Sequence, residues 1–310
     1  MADNTNIKDW LTENFANQVK FDEPMSLHTT FKVGGNAEMF VCPESNESAI
    51  KIINMANKTM TPVFTIGNGS NILVKDSGIK GIVLSFEKIN SEITASEIEN
   101  DQVIVSVSSG TGLSKLCRFA INNGLSGLNF ALGIPGSVGG SIHMNAGTAT
   151  GEMKDVVQSI EILNGSGQLK TVKKESLNFS YRKLDWKNST TAPVIFNADF
   201  ILQKDNIEEL KKQSNDLLKT RNKNQPVSLP NAGCIFKNPD SENPAGKLID
   251  LAGLKGVKSG NAQISDKHAN FITNNGGASA SEIISLIDLA KEKVFKKFQI
   301  ILETEVQIVG

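Results

Sequence analysis

The stretch that most constrains this chain is Gly133–Gly147, GIPGSVGGSIHMNAG in one-letter code. Five of its fifteen residues are glycine and none is Asp, Glu, Lys or Arg, yet aliphatic residues such as Ile134 and Val138 recur, which is not typical of a solvated linker. We therefore predict buried backbone in contact with a ligand. Successive N–H groups in glycine turns bind anions, which favours a phosphate or pyrophosphate. The alternative is a tight turn at the corner of a barrel or sandwich.

Length and charge narrow the class of protein. A chain of 310 residues exceeds what one hydrophobic core usually supports, so two or three domains are expected. The net charge is −1, from 32 basic and 33 acidic residues, and basic residues do not alternate with aromatic ones, so nucleic acid is not an expected partner. The chain has no apolar run of membrane-spanning length and no export signal, so we expect a cytoplasmic protein without membrane insertion.

Cysteine and histidine usage gives no metal site. The three cysteines are odd in number, far apart and without metal-type spacing, which suits a reducing compartment: Cys42, Cys117 and Cys234. The three histidines are isolated, and we predict structural roles for them: His28, His143 and His268. No metal ligands are therefore predicted.

The first 87 residues predict a small β-α-β-β unit after an N-terminal helix. Its expected elements are a strand over 37–43, a helix capped by Ser45 or Asn46, and strands over 62–66 and 82–86. The second of these strands runs into the glycine loop Gly67–Leu73, and open α/β sheets place phosphates at such a strand end. The loop lacks the third glycine of a dinucleotide fingerprint, so a standard Rossmann site is not predicted.

Further along, periodicity and turn residues predict alternating strands and helices. The expected elements are a strand over 103–108, a helix over 113–121 with Cys117 in its core face, a hairpin turning at 164–167, a strand over 194–202, a helix over 207–218, a capped helix after Ser279, and a strand over 300–309. Glu303 and Glu305 would share one face of that last strand. The helix at 207–218 is rich in Glu and Lys, and this change of composition marks a candidate domain boundary.

Cys234 differs from the other two cysteines in its surroundings. Prolines at 226, 230 and 239 bracket it, Gly233 precedes it, and Lys237 follows three residues later. Proline restricts the backbone on both sides of the thiol, a rigid and polar setting that a core cysteine does not need. We therefore predict a functional role for this thiol.

Seven segments together resemble one known family in content and in order. They are His28–Gly35, Gly67–Leu73, Gly127–Gly140, Met144–Gly147, Tyr181-Arg182, Asn231–Pro239 and Thr304–Val306. The chain is similar to the UDP-N-acetylenolpyruvoylglucosamine reductases over nearly its whole length. It contains only one tyrosine, so it resembles the type II branch, which lacks an extra tyrosine-bearing substrate loop.

The resemblance implies an α+β protein with a two-domain PCMH-type FAD-binding fold and a third α+β substrate-binding domain. The implied boundaries are 1–87 for the first FAD-binding subdomain, to which the strand at 300–310 can return, 88–204 for the second subdomain, and 205–299 for the substrate-binding domain. A monomer is expected.

The resemblance also implies the reaction. With FAD as cofactor and NADPH as co-substrate, UDP-N-acetylglucosamine enolpyruvate would be reduced to UDP-N-acetylmuramate, a peptidoglycan precursor, by two successive hydride transfers. Arg182 and Glu305 match the family's catalytic arginine and carboxylate, which would stabilise negative charge next to the methylene carbon. Cys234 matches the proton donor; serine is common there, and a thiol with an ordinary pKa of about 8.5 is the stronger acid.

The same resemblance assigns binding residues. The cofactor contacts carried over from the two glycine loops are Gly67, Asn68, Gly69, Ser70, Asn71, Ile72, Gly133, Ile134, Pro135, Gly136, Ser137, Gly139 and Gly140. The residues expected to face the UDP diphosphate and sugar are Tyr181, Lys237 and Asn238. A lysine suits a diphosphate as a point charge.

Two other functions remain open from the sequence. One is a flavin oxidase of the same fold, which often holds FAD covalently through His or Cys; the glycine stretch offers only His143 for this. The other is a nucleotide-binding module that has lost its chemistry, against which the presence of Arg182, Cys234 and Glu305 argues. No residue pattern separates NADPH from NADH.

Overall fold

The structure, a computed structural model, describes residues 6–89, 92–164, 167–186 and 193–310. Helices and strands are mixed along the chain, which confirms the predicted α+β class. The helices are α1 (Ile7–Phe15), α2 (Asn46–Lys58), α3 (Leu113–Asn122), α4 (Val138–His143), α5 (Met153–Val156), α6 (Ile207–Asn224), α7 (Ala245–Leu251) and α8 (Ala280–Phe298).

The strands have two to ten residues and lie throughout the described part of the chain. In the first half they are β1 (Val19–Pro24), β2 (Asn36–Val41), β3 (Val63–Ile66), β4 (Ile72–Val74), β5 (Ile79–Ser85), β6 (Thr94–Glu97), β7 (Gln102–Ser108), β8 (Leu125–Ser126), β9 (Gly147–Thr148) and β10 (Gly151–Glu152). In the second half they are β11 (Val157–Leu163), β12 (Leu169–Lys173), β13 (Asn178–Ser180), β14 (Lys183–Asp185), β15 (Ile195–Lys204), β16 (Lys258–Ser259), β17 (Ala262–Ile264), β18 (Ile272–Asn274) and β19 (Gln307–Val309).

The chain divides into two compact units. The first contains Met1–Lys20, Met39–Asn68 and Gly81–Lys219. The second contains Phe21–Glu38, Gly69–Lys80 and Thr220–Gly310. The three-domain boundaries expected from the sequence stay a prediction.

An antiparallel sheet organises much of the first unit. Its strand order is β12-β11-β15-β7-β6, and β8 also pairs with β15. Alternating residues of β7 and β15, such as Val105 and Phe200, are fully buried, and they share a core with Leu116 of α3 and Ile142 of α4. Burial of these side chains holds α3 and α4 against the sheet, which fixes the two glycine-bearing segments that precede those helices.

A second core of the first unit joins α1 and α2 to strands β3 and β5, which pair in parallel. Ser45 caps α2 by accepting a hydrogen bond from the N–H of Ser48, as the sequence predicts. The pair β3 and β5 belongs to a four-stranded sheet of order β1-β2-β5-β3. The core includes Leu11, Ile52 and Leu84, each without exposed surface.

The second unit has its own core between helices α7 and α8 and the three-stranded sheet β16-β17-β18. Helix α8 begins as predicted, because Ser279 and Glu282 form a capping box. Strand β19 pairs in parallel with β4, which places the end of the chain beside the residues that follow the first glycine loop. Ile235 and Phe236 are buried in this core, so the segment after Cys234 is anchored.

The predicted strand over 300–309 is wrong in extent. Only Gln307–Val309 form a strand, whereas Thr304 makes an isolated antiparallel bridge with Phe236. The physical reason is a change of partner: residues 303–306 hydrogen bond to the segment around Ile235, and residues 307–309 then pair with β4. No continuous ladder can span both partners.

The prediction of buried backbone over Gly133–Gly147 is correct only in part. Gly133 and Pro135 are exposed, and burial begins at Ser137, where the chain enters α4. The residues before Ser137 follow a short helical turn and are not part of a sheet, whereas those after it pack on the antiparallel sheet. The predicted hairpin is present as β11 and β12, but the middle of its turn, residues 165–166, lies outside the described residues.

Two features are absent from the described ranges. Within them, no helix is both long and apolar enough to cross a membrane. The same part of the chain contains no group of three or more His, Cys, Asp and Glu side chains arranged to hold a metal ion.

Candidate active site

The two predicted glycine loops meet in the first unit at Gly67 and Ser137. A Cβ atom on residue 67 would lie 2.2 Å from Oγ of Ser137, so any other residue would require Ser137 to move. The Ser137 hydroxyl also caps α4 by accepting a hydrogen bond from the N–H of Gly140 at 3.3 Å. The contact therefore fixes the end of β3 against the start of α4.

A third glycine segment, Ser109–Gly112, pairs with the second loop and was not singled out from the sequence. Leu113 N–H donates to the carbonyl of Gly136 at 2.9 Å, and Val138 N–H donates to that of Thr111 at 2.8 Å. The signal was present, because β7 runs into Gly-Thr-Gly as β3 runs into Gly-Asn-Gly. The same argument that predicted a ligand site after β3 therefore also applies to the glycines after β7.

The arrangement fits the pyrophosphate of a dinucleotide. In the second glycine loop, residues 133–140, the N–H groups of Val138 and Gly139 donate to backbone carbonyls. Those of Gly136 and Ser137 make no backbone hydrogen bond within the described ranges. The loop carries no charged side chain, so no carboxylate repels an anion. Free N–H groups in an uncharged glycine turn are the donor set that phosphate oxygens accept from. Ile134 is half-buried beside them.

The remainder of the first loop, Gly69–Ile72, lies in the second unit. The carbonyl of Gly69 accepts from Thr30 N–H at 3.1 Å. Asn71, a predicted cofactor contact, donates from its side-chain amide to the carbonyl of Glu305 at 3.1 Å, and its own carbonyl accepts from Gln307 N–H at 3.0 Å. The Asn71 side chain thus holds the C-terminal segment. Ile72 is buried, so only its backbone can face a ligand.

Tyr181 and Arg182 form the two-residue loop of the hairpin between β13 and β14, in which Ser180 faces Lys183. Arg182 has a left-handed backbone, with φ of 59°. Its guanidinium Nη2 donates to the carbonyl of Gly147 at 2.9 Å and lies over the Tyr181 ring, with Cζ 5.0 Å from the ring centre. Two contacts therefore orient the predicted catalytic cation.

Asn145 supports this hairpin and was not predicted as a functional residue. It is fully buried, and its side-chain nitrogen donates to the carbonyl of Ser180 at 3.0 Å and to a Glu152 carboxylate oxygen at 2.7 Å. Its side-chain oxygen accepts from Lys154 N–H at 3.0 Å. Sequence reasoning had no signal for this role, because the partners are 7 to 35 residues away.

Cys234 and Glu305 lie on two segments that are bonded to each other in the second unit. Glu305 N–H donates to the carbonyl of Ile235, the residue after Cys234, at 2.8 Å, and Lys237 N–H donates to the carbonyl of Glu303 at 2.9 Å. Both Cys234 and Glu305 are half-buried. The fold therefore brings these two predicted catalytic residues onto paired stretches of backbone although they are distant in sequence.

Lys237 and Asn238 already have partners within the chain. Lys237 Nζ forms an ion pair with Glu303 Oε1 at 2.5 Å. The Asn238 side-chain oxygen accepts from the N–H of Ala245 at 3.0 Å, at the start of α7. The predicted substrate contacts thus also serve as local structural contacts.

The other two thiols differ from Cys234 in exposure. Burial, reinforced by the nearby Glu87 carboxylate, raises the pKa of Cys42 to about 11, and burial raises the pKa of Cys117 to about 12. Such thiols stay protonated and are poor nucleophiles near neutral pH. Cys117 lies in the core of the first unit, as predicted.

Comparison with known proteins agrees with this geometry. Residues 37–173 match the family profile of an FAD binding domain, and residues 225–309 match the C-terminal domain of UDP-N-acetylenolpyruvoylglucosamine reductase. The protein is thus an FAD-binding oxidoreductase built from these two kinds of domain.

Full-length relatives define the family more narrowly. A UDP-N-acetylenolpyruvoylglucosamine reductase of Desulfosudis oleivorans is 42% identical over 307 residues and covers 98% of each chain. One of Clostridium novyi is 42% identical over 294 residues, 94% of this chain and 92% of that one. The crystal structure of the Thermus caldophilus reductase aligns with a TM-score of 0.77 and 32% identity over 94% of this chain and 98% of that chain. The chain belongs to the UDP-N-acetylenolpyruvoylglucosamine reductase family.

Proposed function

We propose that the chain reduces UDP-N-acetylglucosamine enolpyruvate to UDP-N-acetylmuramate, with NADPH as the electron donor. In balance, NADPH is oxidised to NADP⁺ while a hydride adds to the methylene carbon of the enolpyruvyl group and a proton adds to the neighbouring carbon. The observation that carries the proposal is the pairing of the Cys234 segment with the Glu305 segment in a chain of this family.

The first unit supplies the groups that suit FAD. The N–H groups of Gly136 and Ser137 are the proposed partners of its pyrophosphate, with the backbone of Gly67 and Asn68 as a second contact. When bound, FAD supplies a hydride carrier between the nicotinamide and the enolpyruvyl double bond. The remaining cofactor contacts carried over from the family, among them Asn68, Ser70 and Ile134, stay predictions.

Arg182 is proposed to stabilise the negative charge that hydride addition places on the substrate. Its guanidinium is held between the Gly147 carbonyl and the Tyr181 ring, so it would need little reorganisation when charge develops. A preorganised cation of this kind is often the largest contribution to catalysis. Glu305, in its protonated form, is the second proposed donor to that charge.

Cys234 is proposed to give its Sγ proton to the carbon next to the methylene group. The thiol is half-buried, which limits access of bulk water, and the residue before it, Gly233, has a left-handed backbone that sets the direction of the chain. A general acid in this position must be held within hydrogen-bond reach of the carbon that accepts the proton. The paired backbone of Ile235 and Glu305 supplies that restraint.

Substrate recognition is proposed for Tyr181, Lys237 and Asn238. Lys237 would contribute positive charge to the UDP diphosphate in exchange for its ion pair with Glu303. Tyr181 is half exposed and could stack on the substrate while keeping its contact with Arg182. The preference for NADPH, the cytoplasmic location and the monomeric state stay predictions.

A visible spectrum of the purified protein under anaerobic conditions tests the function. We expect flavin absorbance that NADPH bleaches and that returns only when the enolpyruvyl UDP-sugar is added, with formation of the lactyl ether measured by mass spectrometry. Recovery of colour with oxygen but not with the UDP-sugar would instead identify a flavin oxidase. A colourless protein that takes up no added FAD would contradict the proposal.

A further inference from the structure

The segment Ile235–Lys237 has hydrogen-bond partners in two other parts of the chain although it is not part of a regular sheet. On one edge its partners are residues near the end of the chain: Lys237 N–H donates to the Glu303 carbonyl at 2.9 Å, and the Ile235 carbonyl accepts from Glu305 N–H at 2.8 Å. Three further backbone groups of this segment are not bonded to those residues and need partners of their own: the N–H of Ile235 and the N–H and carbonyl of Phe236.

A single residue, Asn270, satisfies all three groups. Its backbone carbonyl accepts from Ile235 N–H at 2.8 Å. Its side-chain oxygen accepts from Phe236 N–H at 2.9 Å, and its side-chain nitrogen donates to the Phe236 carbonyl at 2.8 Å. One carboxamide thus reproduces the donor and acceptor that a neighbouring strand would present.

These contacts are shielded from water. Asn270 is 3% exposed, and Ile235 and Phe236 are 1% and 2% exposed. Loss of one partner therefore leaves a buried polar group unsatisfied rather than hydrated. An ionised carboxylate cannot replace the amide, because it only accepts hydrogen bonds and cannot donate to the Phe236 carbonyl.

We infer that Asn270 is a positioning residue for the proposed proton donor: it fixes the backbone directly after Cys234 and holds that backbone against the segment that carries Glu305. That Asn270 affects catalysis rests on the proposed function. That it restrains the backbone next to Cys234 does not depend on that function. Asn270 itself is bonded to the backbone of the buried Phe236, and no contact with substrate is assigned to it.

Among the described residues, His268 is a titratable group in direct contact with Asn270. The backbone N–H of Asn270 donates to Nδ1 of the His268 ring at 3.2 Å, so the ring must be unprotonated at this nitrogen. Burial, with the nearby positive charge of Lys255, lowers the pKa of His268. Above about pH 6.5, the ordinary histidine value, the ring therefore stays neutral and the contact is intact.

The test is Asn270→Asp, which keeps the size of the side chain. At pH 8.5 the ionised carboxylate repels the Phe236 carbonyl, and we expect kcat about a hundredfold below wild type with KM changed much less, as for a misplaced catalytic group. Burial raises the pKa of such a carboxyl, and its protonated form can donate as the amide does. The ratio of variant to wild-type kcat should therefore recover by at least about tenfold on going to pH 6.5.

Alkylation by iodoacetamide gives a readout that needs no turnover. In Asn270→Asp at pH 8.5 we expect Cys234 to react several-fold faster than in wild type, while the buried thiols Cys42 and Cys117 react unchanged. The matched control is Asn274→Asp. Asn274 is also 3% exposed and donates from its side chain to the Phe31 carbonyl at 3.0 Å, so its variant loses a comparable contact that does not involve the segment Ile235–Lys237.

The outcomes separate the inference from the proposed function. A selective change at Cys234 with pH-dependent kcat supports both. If wild type does not reduce the UDP-sugar, the proposed function fails, and selective alkylation alone still decides whether Asn270 holds Cys234. Equal kcat and alkylation in the two variants, or faster reaction of all three thiols in Asn270→Asp, overturns the inference.

If neither variant folds, hydrogen exchange of the wild-type protein decides between the outcomes. Rapid exchange at the Ile235 and Phe236 amides overturns the inference, and strand-like protection of these amides supports it.

Discussion

The ammonium group of Lys237 lies 2.5 Å from Oε1 of Glu303, so the proposed diphosphate contact is already paired with an anion of its own chain. The Lys237 side chain is 22% exposed, whereas that of Glu303 is 72% exposed and free to move into water. A diphosphate that binds Lys237 must therefore displace a carboxylate. On the proposed role of Lys237, the pair would lower the apparent affinity for the UDP-sugar by the strength of this exposed contact.

Glu303→Gln should lower the KM for the UDP-sugar and leave kcat unchanged. Exposed ion pairs contribute about 0.2–1 kcal/mol, which corresponds to a factor of about 1.4 to 5 in KM. Steady-state kinetics at low ionic strength measure it, where screening is weakest. The control is Glu44→Gln, which removes the partner of the exposed Lys88 and should change neither constant. An unchanged or higher KM in Glu303→Gln would show that Lys237 does not meet the diphosphate.

Cys234→Ser should retain activity, and Cys234→Ala should reduce kcat by about a hundredfold or more, because a hydroxyl can still deliver a proton and a methyl group cannot. Reduction of the bound flavin by NADPH should be normal in both, since the thiol acts only on the second half-reaction. Single-turnover spectra separate the two half-reactions. Full turnover in the alanine variant would remove Cys234 from the proton-donor role.

Arg182→Lys should reduce kcat by about a hundredfold although the charge is kept. The lysine ammonium cannot make the planar contact over Tyr181 together with the hydrogen bond to Gly147, and it holds its charge less rigidly. Arg118→Lys, on the exposed side of α3, is the matched control and should be neutral. Equal activity of the two variants would argue against a role for the guanidinium.

Acid should destabilise the fold as pH falls below about 6.5. Burial lowers the pKa of His143, with Lys183 adding to the effect, and burial with Lys255 does the same at His268. The unfolded chain then binds protons more tightly than the folded one. The free energy of unfolding therefore keeps its full value above the ordinary histidine pKa of about 6.5 and decreases as the pH falls below it, by at most about 1.4 kcal/mol per pH unit for each ring. Urea unfolding between pH 7.5 and 5 measures the slope. His143→Gln and His268→Gln should each flatten it, and an unchanged slope in both would contradict this assignment.

Local signals in the sequence predicted five of the eight described helices, α1, α2, α3, α6 and α8, but missed α4, α5 and α7, and they predicted the pairing of strands less well. The capping box at Ser279 and the cap at Ser45 depend on neighbours within three residues, and both are present. The C-terminal strand was overestimated, because its residues change partners after Val306, and this depends on contacts with segments far away in the chain. The hairpin around Tyr181 was missed, since its strands have only three residues each.

The candidate site was predictable where it follows strand ends or matches family motifs. Gly67 and Ser137 were found in this way, and their contact agrees with a common role. Asn145 and Asn270 were not found, because a buried asparagine looks in sequence like any turn residue and its value comes only from the backbone groups it meets. The catalytic roles of the predicted residues stay predictions until they are tested.

The left-handed backbone of Arg182 sets its proposed catalytic role against the stability of the hairpin. A residue with a Cβ is disfavoured at φ of 59°, and the second position of such a two-residue loop is most stable with glycine or asparagine. Glycine there would relax the hairpin and raise its melting temperature, yet it would delete the guanidinium. A stability screen of this chain would therefore select against arginine at 182, and on the proposed role of Arg182 the variants that it selected would be more stable and less active.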